Sequence, residues 1–160
     1  MIVGWKELAD LAESLNNLER DLGLFIANKM TYDRVWQSIL ISYNQENISK
    51  GLRPDGSIIS KTPVGKQKST MYERYTIYNR TKEGKQVKNV DLNFTGLFYA
   101  SESIRATPNN IYFIDTAPYA EKIESVWGNV LGITDAQFEE FFEFVKPDFE
   151  KWLNKRLNGR

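Results

Sequence analysis

The 160-residue chain has neither cysteine nor histidine. The first absence excludes a disulfide framework and any thiolate metal site. The second removes Ser-His-Asp and Cys-His catalysis, histidine general bases and every usual zinc arrangement. Glycines never gather into a phosphate-cradling GxGxxG or GxxxxGK[ST] loop, and Gly128-Asn129-Val130-Leu131-Gly132 is too sparse to count as one. No run approaches the roughly 18 apolar residues that span a bilayer. The start, Met1-Ile2-Val3-Gly4-Trp5-Lys6-Glu7, lacks the basic opening and apolar core of a signal peptide. A soluble cytoplasmic product is the expectation, with no cofactor and no metal.

Apolar residues make up 41% of the chain and charged residues 26%, which suits one hydrophobic core. A single domain over 1–160 is therefore expected, with a helical part at 1–48, a basic extended loop at 49–90, and a hairpin with C-terminal helices at 91–160. The formal net charge of zero hides a split. Residues 50–88 hold ten Lys and Arg against Asp55, Glu73 and Glu83, a surplus of seven positive charges that the remainder balances with seven negative. Such a segment meets acidic surface on a neighbour or holds an anionic partner.

Leu8, Leu11, Leu15, Leu18, Leu22 and Phe25 alternate spacings of three and four, one stripe of an amphipathic helix. Three heptads followed by aromatics read as the core face of a globular helix rather than as a coiled coil. After Ile26 the phase slips, and Tyr32, Val35, Trp36, Ile39, Leu40 and Tyr43 resume it. Either one long bent helix or two helices with a break near Lys29–Thr31 fits. Gly51, Pro54-Asp55-Gly56, Pro63 and Gly65 then punctuate an exposed excursion. Its residues 51–70 are expected to be the most mobile or extended part of the chain. Tyr72, Tyr75, Ile77 and Tyr78 mark a short ordered piece that fits strand or helix.

Two strands follow. Phe98, Ala100, Glu102, Ile104 and Ala106 alternate with Tyr99, Ser101, Ser103 and Arg105, and Ile111–Ile114 returns across Thr107-Pro108-Asn109-Asn110. This hairpin is expected to form the centre of a small antiparallel sheet. Pro118 precedes a short helix carrying Tyr119, Ile123, Val126 and Trp127, which Gly128 ends. Thr134-Asp135-Ala136-Gln137 is a capping box that opens a last helix with Phe138, Phe141, Phe142, Val145, Phe149, Trp152 and Leu153 along one side. Pro147 inside it should kink or divide it. The fold class is thus α+β: N-terminal amphipathic helices, a small antiparallel sheet with a central hairpin, and a C-terminal helix.

Few residues point to chemistry. Glu139, Glu140 and Glu143 alternate with phenylalanines as a solvated helix face does, and Glu121 and Glu124 flank Ile123 in the same way. Asp115 before Thr116 reads as a strand-end turn. Trp5, Trp36, Trp127 and Trp152 fall on apolar stripes and read as packing residues. The basic segment is the strongest candidate for contact: Lys61, Lys66, Lys68, Arg74, Lys82 and Lys85 lie among Tyr72, Tyr75 and Tyr78, a mixture suited to a protein partner or to a nucleic-acid backbone and its bases.

Four pieces, in order, resemble the phage virion-morphogenesis family, the neck or tail-completion proteins of tailed phages. They are Gly51-Leu52-Arg53-Pro54-Asp55-Gly56, Leu92-Asn93-Phe94-Thr95-Gly96-Leu97-Phe98, Pro118-Tyr119-Ala120 and Leu131-Gly132-Ile133-Thr134-Asp135. Phe94 stands where the family usually has an acid, and Glu121-Lys122-Ile123-Glu124 where it has a basic or histidine-bearing stretch. The resemblance implies a structural, non-enzymatic ring subunit at the head–tail junction. Its partners would be copies of itself and the connector and tail proteins. It would sit in the virion, in the tail or neck, and in the host cytoplasm during assembly. A tail-tube terminator or minor tail subunit is the nearest alternative. From other classes come a DNA-binding module built on residues 50–88 and a carboxylate hydrolase using Glu139 and Glu143.

Overall fold

A computed structural model describes residues 5–59, 72, 74–93 and 95–158. Among these the chain forms six helices and one two-stranded antiparallel sheet, an α+β fold that is mostly helical. The order is α1 (Trp5–Tyr32), α2 (Arg34–Ser49), α3 (Arg74–Lys82), α4 (Leu97–Ala100), β1 (Glu102–Thr107), β2 (Asn110–Asp115), α5 (Ala120–Trp127) and α6 (Asp135–Asn158).

The N-terminal stripe resolves into two helices. Asp33 divides them: its backbone is extended, and its carboxylate accepts from the N–H groups of Val35 and Trp36, so it caps α2. Lys29 ties this corner to the far end of the chain, its ammonium lying 3.0 Å from Asp33 and 2.6 Å from Asp148.

The hairpin pairs in the register Ile104↔Phe113 and Ala106↔Ile111, with Thr107↔Asn110 leaving Pro108-Asn109 as a two-residue turn. It is the whole of the sheet among the described residues. β1 begins later than the alternation suggested: Leu97–Ala100 is a helical turn after Gly96, whose φ of 79° starts it. Phe98 is still buried, but from a helix and not from a strand. From Glu102 onward the expected face holds, and Ile104, Ala106, Ile111 and Phe113 pack on Met30, Trp36, Leu40, Phe141 and Val145. A second core gathers Ile48, Ile59, Val90, Leu92, Phe98, Trp127 and Val130.

The capping box forms as the sequence implies: the Thr134 N–H donates to Gln137 Oε1 at 3.0 Å and the Gln137 N–H to Thr134 Oγ1 at 3.3 Å. Gly128, at φ 75°, ends α5 with its N–H on Glu124 O. Pro147 does not divide α6, which runs as one helix to Asn158.

The basic stretch is more structured than an extended loop. Leu52 bridges Ile58, Ile59 is fully buried, and Arg53 donates to Trp127 O at 2.8 Å, so 51–59 is pinned to the core. The open piece after Tyr72 is a helix, α3. The rest of the expected mobile stretch, from 60 to 70, lies outside the described residues.

Candidate functional site

Of the six cationic residues singled out in the sequence, Lys61, Lys66 and Lys68 lie outside the described residues, as does the Arg74 side chain. Lys82 ends α3 and is exposed, and Lys85 follows beside Glu83 at 3.8 Å. Tyr75 and Tyr78 are 76% and 65% exposed, and with Lys82 they stand at i, i+3 and i+7 on one face of α3. The helix thus offers two aromatic faces and a cation to solvent.

Arg80 faces the other way. It is 1% exposed, and every guanidinium nitrogen is bonded. Nη2 donates to both Asp91 oxygens at 2.7 and 2.8 Å, Nη1 to Asn93 O, and Nε to Gln86 O. The guanidinium lies over the Tyr72 ring at 4.5 Å. The Tyr72 hydroxyl donates to Asp91 Oδ1 and accepts from the N–H groups of Asp91 and Leu92. Burial and the Asp91 charge push the Tyr72 phenol up to about 12. This cluster holds the basic segment to the body, and it withdraws Arg80 from any role in contact.

A carboxylate pair was not legible in the sequence. Glu102 and Asp115 are cross-strand partners at the open end of the hairpin. Glu102 accepts from Asn44 Nδ2 at 2.6 Å, yet burial, with some repulsion from Asp115, raises its carboxyl to about 7. Asp115 Oδ1 accepts from Ser101 and from the Ala117 N–H, the expected strand-end turn, while Oδ2 is buried without a hydrogen-bond partner. Glu139, Glu140 and Glu143 are exposed on α6, with Glu143 bonded to Lys146. No group of three or more acidic, cysteine or histidine side chains that could hold a metal ion occurs among the described residues.

Beside the hairpin a groove of about 880 Å³ has an apolar floor that includes Phe98, Ile123 and Phe138, and acidic groups from Asp115, Glu121 and Glu124. Phe138, Phe142 and Phe144 on α6 are each about half exposed.

The largest departure from the sequence expectation is in α1. It pairs antiparallel with α6 through three contacts one turn apart: Asp21 with Arg156 at 2.6 Å, Phe25 stacked on Trp152 at 5.2 Å, and Lys29 with Asp148. In that register the last described residue of α6, Asn158, lies beside position 19, and α1 runs on past it. The described side chains from Leu8 to Asn16 are all exposed. Leu8, Leu11 and Leu15, read as core from their spacing, are 46%, 56% and 56% exposed. Their stripe is real, but no element of the chain's described part covers it. No helix among the described residues is long and apolar enough to cross a membrane.

No family model, no curated protein and no solved structure matches the chain.

Proposed function

We propose that this chain is a structural assembly protein, a ring subunit that completes a phage tail or neck and joins head to tail. The observation that carries this reading is the amount of unburied apolar surface on regular, well-formed elements. Leu8, Leu11 and Leu15 share one exposed face of α1, Phe138 and Phe142 stand exposed one turn apart on α6, and apolar surface of this kind marks interfaces. Charge supports a head-to-tail arrangement: the Tyr75, Tyr78 and Lys82 face of α3 is matched by the acidic groove of Asp115, Glu121 and Glu124. A heterologous contact of this kind closes into a ring when the rotation allows. The sequence likeness to neck and tail-completion proteins points the same way.

The test is co-expression with phage connector and tail proteins, followed by electron microscopy of purified complexes. Rings or joined particles that disappear in a Tyr75→Ala, Tyr78→Ala, Lys82→Glu variant are expected. A parent protein that binds neither partner and forms no ring overturns the reading.

The same α3 face favours a second reading, a DNA-binding module. Exposed tyrosines stack bases without sequence preference while lysine meets phosphate. Single-stranded oligonucleotide binding that weakens steeply with salt, and is lost in the triple variant, supports it over the ring.

A further inference from the structure

We infer that the protruding half of α1 is a self-complementary dimerisation arm whose partner is the same arm of a second copy, running antiparallel. The inference shares the exposed α1 leucines with the proposed function, but it does not need the α3 face or the acidic groove through which the ring would close.

The arm supplies both halves of the contact. Its outer part presents Leu8 and Leu11 as exposed knobs. Its foot, where α6 ends, holds a groove of about 380 Å³ lined by Leu15, Leu18 and Leu157, with Asn17, Arg20 and Arg156 at its edge. Leu157 is itself 60% exposed. Two arms laid antiparallel about a two-fold axis near Glu13 set Leu8 against the second copy's Leu18, and Leu11 against its Leu15. Each of these four leucines then meets a leucine, in the alternating spacing that lets knobs enter holes. The residues that flank the seam at its middle are Ala12 and Ser14, small and uncharged, so the helices can approach closely there.

Charge selects the direction. The outer part carries Asp10 and Glu13 against Lys6, and the foot carries Arg20, Lys155 and Arg156 against Glu19 and Asp21. A parallel pair would lay one acidic tip on another, whereas the antiparallel pair separates the two tips and sets each near a foot of net one positive charge, where Arg20 and Arg156 already meet Asp21. The seam is short, four leucines from each arm, so the dimer is a reversible, concentration-dependent one.

The test is sedimentation velocity of the full chain over a concentration series, with Leu11→Asp and Leu15→Asp beside it. These positions are exposed in the monomer, and circular dichroism checks that each variant stays folded. The parent should pass from monomer to dimer in the micromolar range. Each variant should raise the dissociation constant by roughly a hundredfold or more, because each change strikes the interface twice. Since the chain has no native cysteine, direction is read by single introduced thiols. Ala12→Cys, near the axis, should cross-link to itself under mild oxidation, and Leu8→Cys, near the tip, should not. A parent that stays monomeric throughout, a dimer unaffected by both aspartate variants, or preferential cross-linking at Leu8→Cys would each overturn the inference.

Discussion

Arg80 and Asp91 form a buried, two-toothed ion pair eleven residues apart in sequence, the Arg80 Nη2 lying 2.7 and 2.8 Å from the two carboxylate oxygens. Buried pairs repay their desolvation only when further hydrogen bonds satisfy the remaining donors, and here Gln86 O accepts from Nε and Asn93 O from Nη1. The pair closes the loop after α3 onto the second core.

Once one partner is gone, removing the other should therefore cost little more. Arg80→Met and Asp91→Leu are each expected to destabilise the fold by about 3–5 kcal/mol, and the double variant by much less than their sum. Urea unfolding of the four proteins measures this. Additive losses would show that the two side chains act independently.

Glu102 gives stability a pH dependence. Its folded value of about 7 stands above the ordinary 4.5, because burial and the facing Asp115 oppose ionisation while Asn44 and Gln45 only partly compensate. A raised carboxyl means that the folded state binds the proton more tightly than the unfolded one. Its contribution is full below pH 4.5 and is lost as pH rises through 7. The loss should be about 2 kcal/mol, after allowance for partial solvent screening. Unfolding free energies measured from pH 4.5 to 8 should show this decline in the parent and a flatter profile in Glu102→Gln. Identical profiles would refute it.

Gly23 lies in the middle of α1, where alanine ordinarily improves a helix by about 1 kcal/mol. Here a Cβ would stand 2.5 Å from the Pro108 carbonyl oxygen at the hairpin turn. Gly23→Ala should therefore destabilise by about 1–3 kcal/mol, the overpacking cost exceeding the propensity gain. A higher melting temperature would show that the turn moves aside freely.

Gln137 serves two structures at once. It completes the cap of α6, and its amide exchanges two hydrogen bonds with Asn47 of α2, at 2.7 and 3.0 Å. Gln137→Ala removes the side-chain half of the cap and strands the buried Asn47 amide, so about 2–4 kcal/mol should be lost. Gln137→Glu keeps the acceptor for the cap and should lose less. Equal losses in denaturant titrations would mean that the cap contributes nothing.

The local sequence determined which segments are helix and strand wherever short-range chemistry is decisive. Thr134 with Gln137 starts α6, Gly128 ends α5, and the alternation from Glu102 through Asp115 pairs as a hairpin, because caps, left-handed glycines and side-chain alternation act within a few residues. Tertiary structure decided what each apolar or charged residue does. Asn44 and Asn47 are buried in α2 because Glu102, Gly132 and Gln137, far along the chain, satisfy their amides. Arg80 is taken from the basic surface by Asp91 and Tyr72. Periodicity places Leu8, Leu11 and Leu15 on one face of a helix, but a stripe carries no information about whether another element reaches it. Along α1 that depended on where antiparallel α6 ends, and the described part of α6 leaves Leu8, Leu11 and Leu15 exposed.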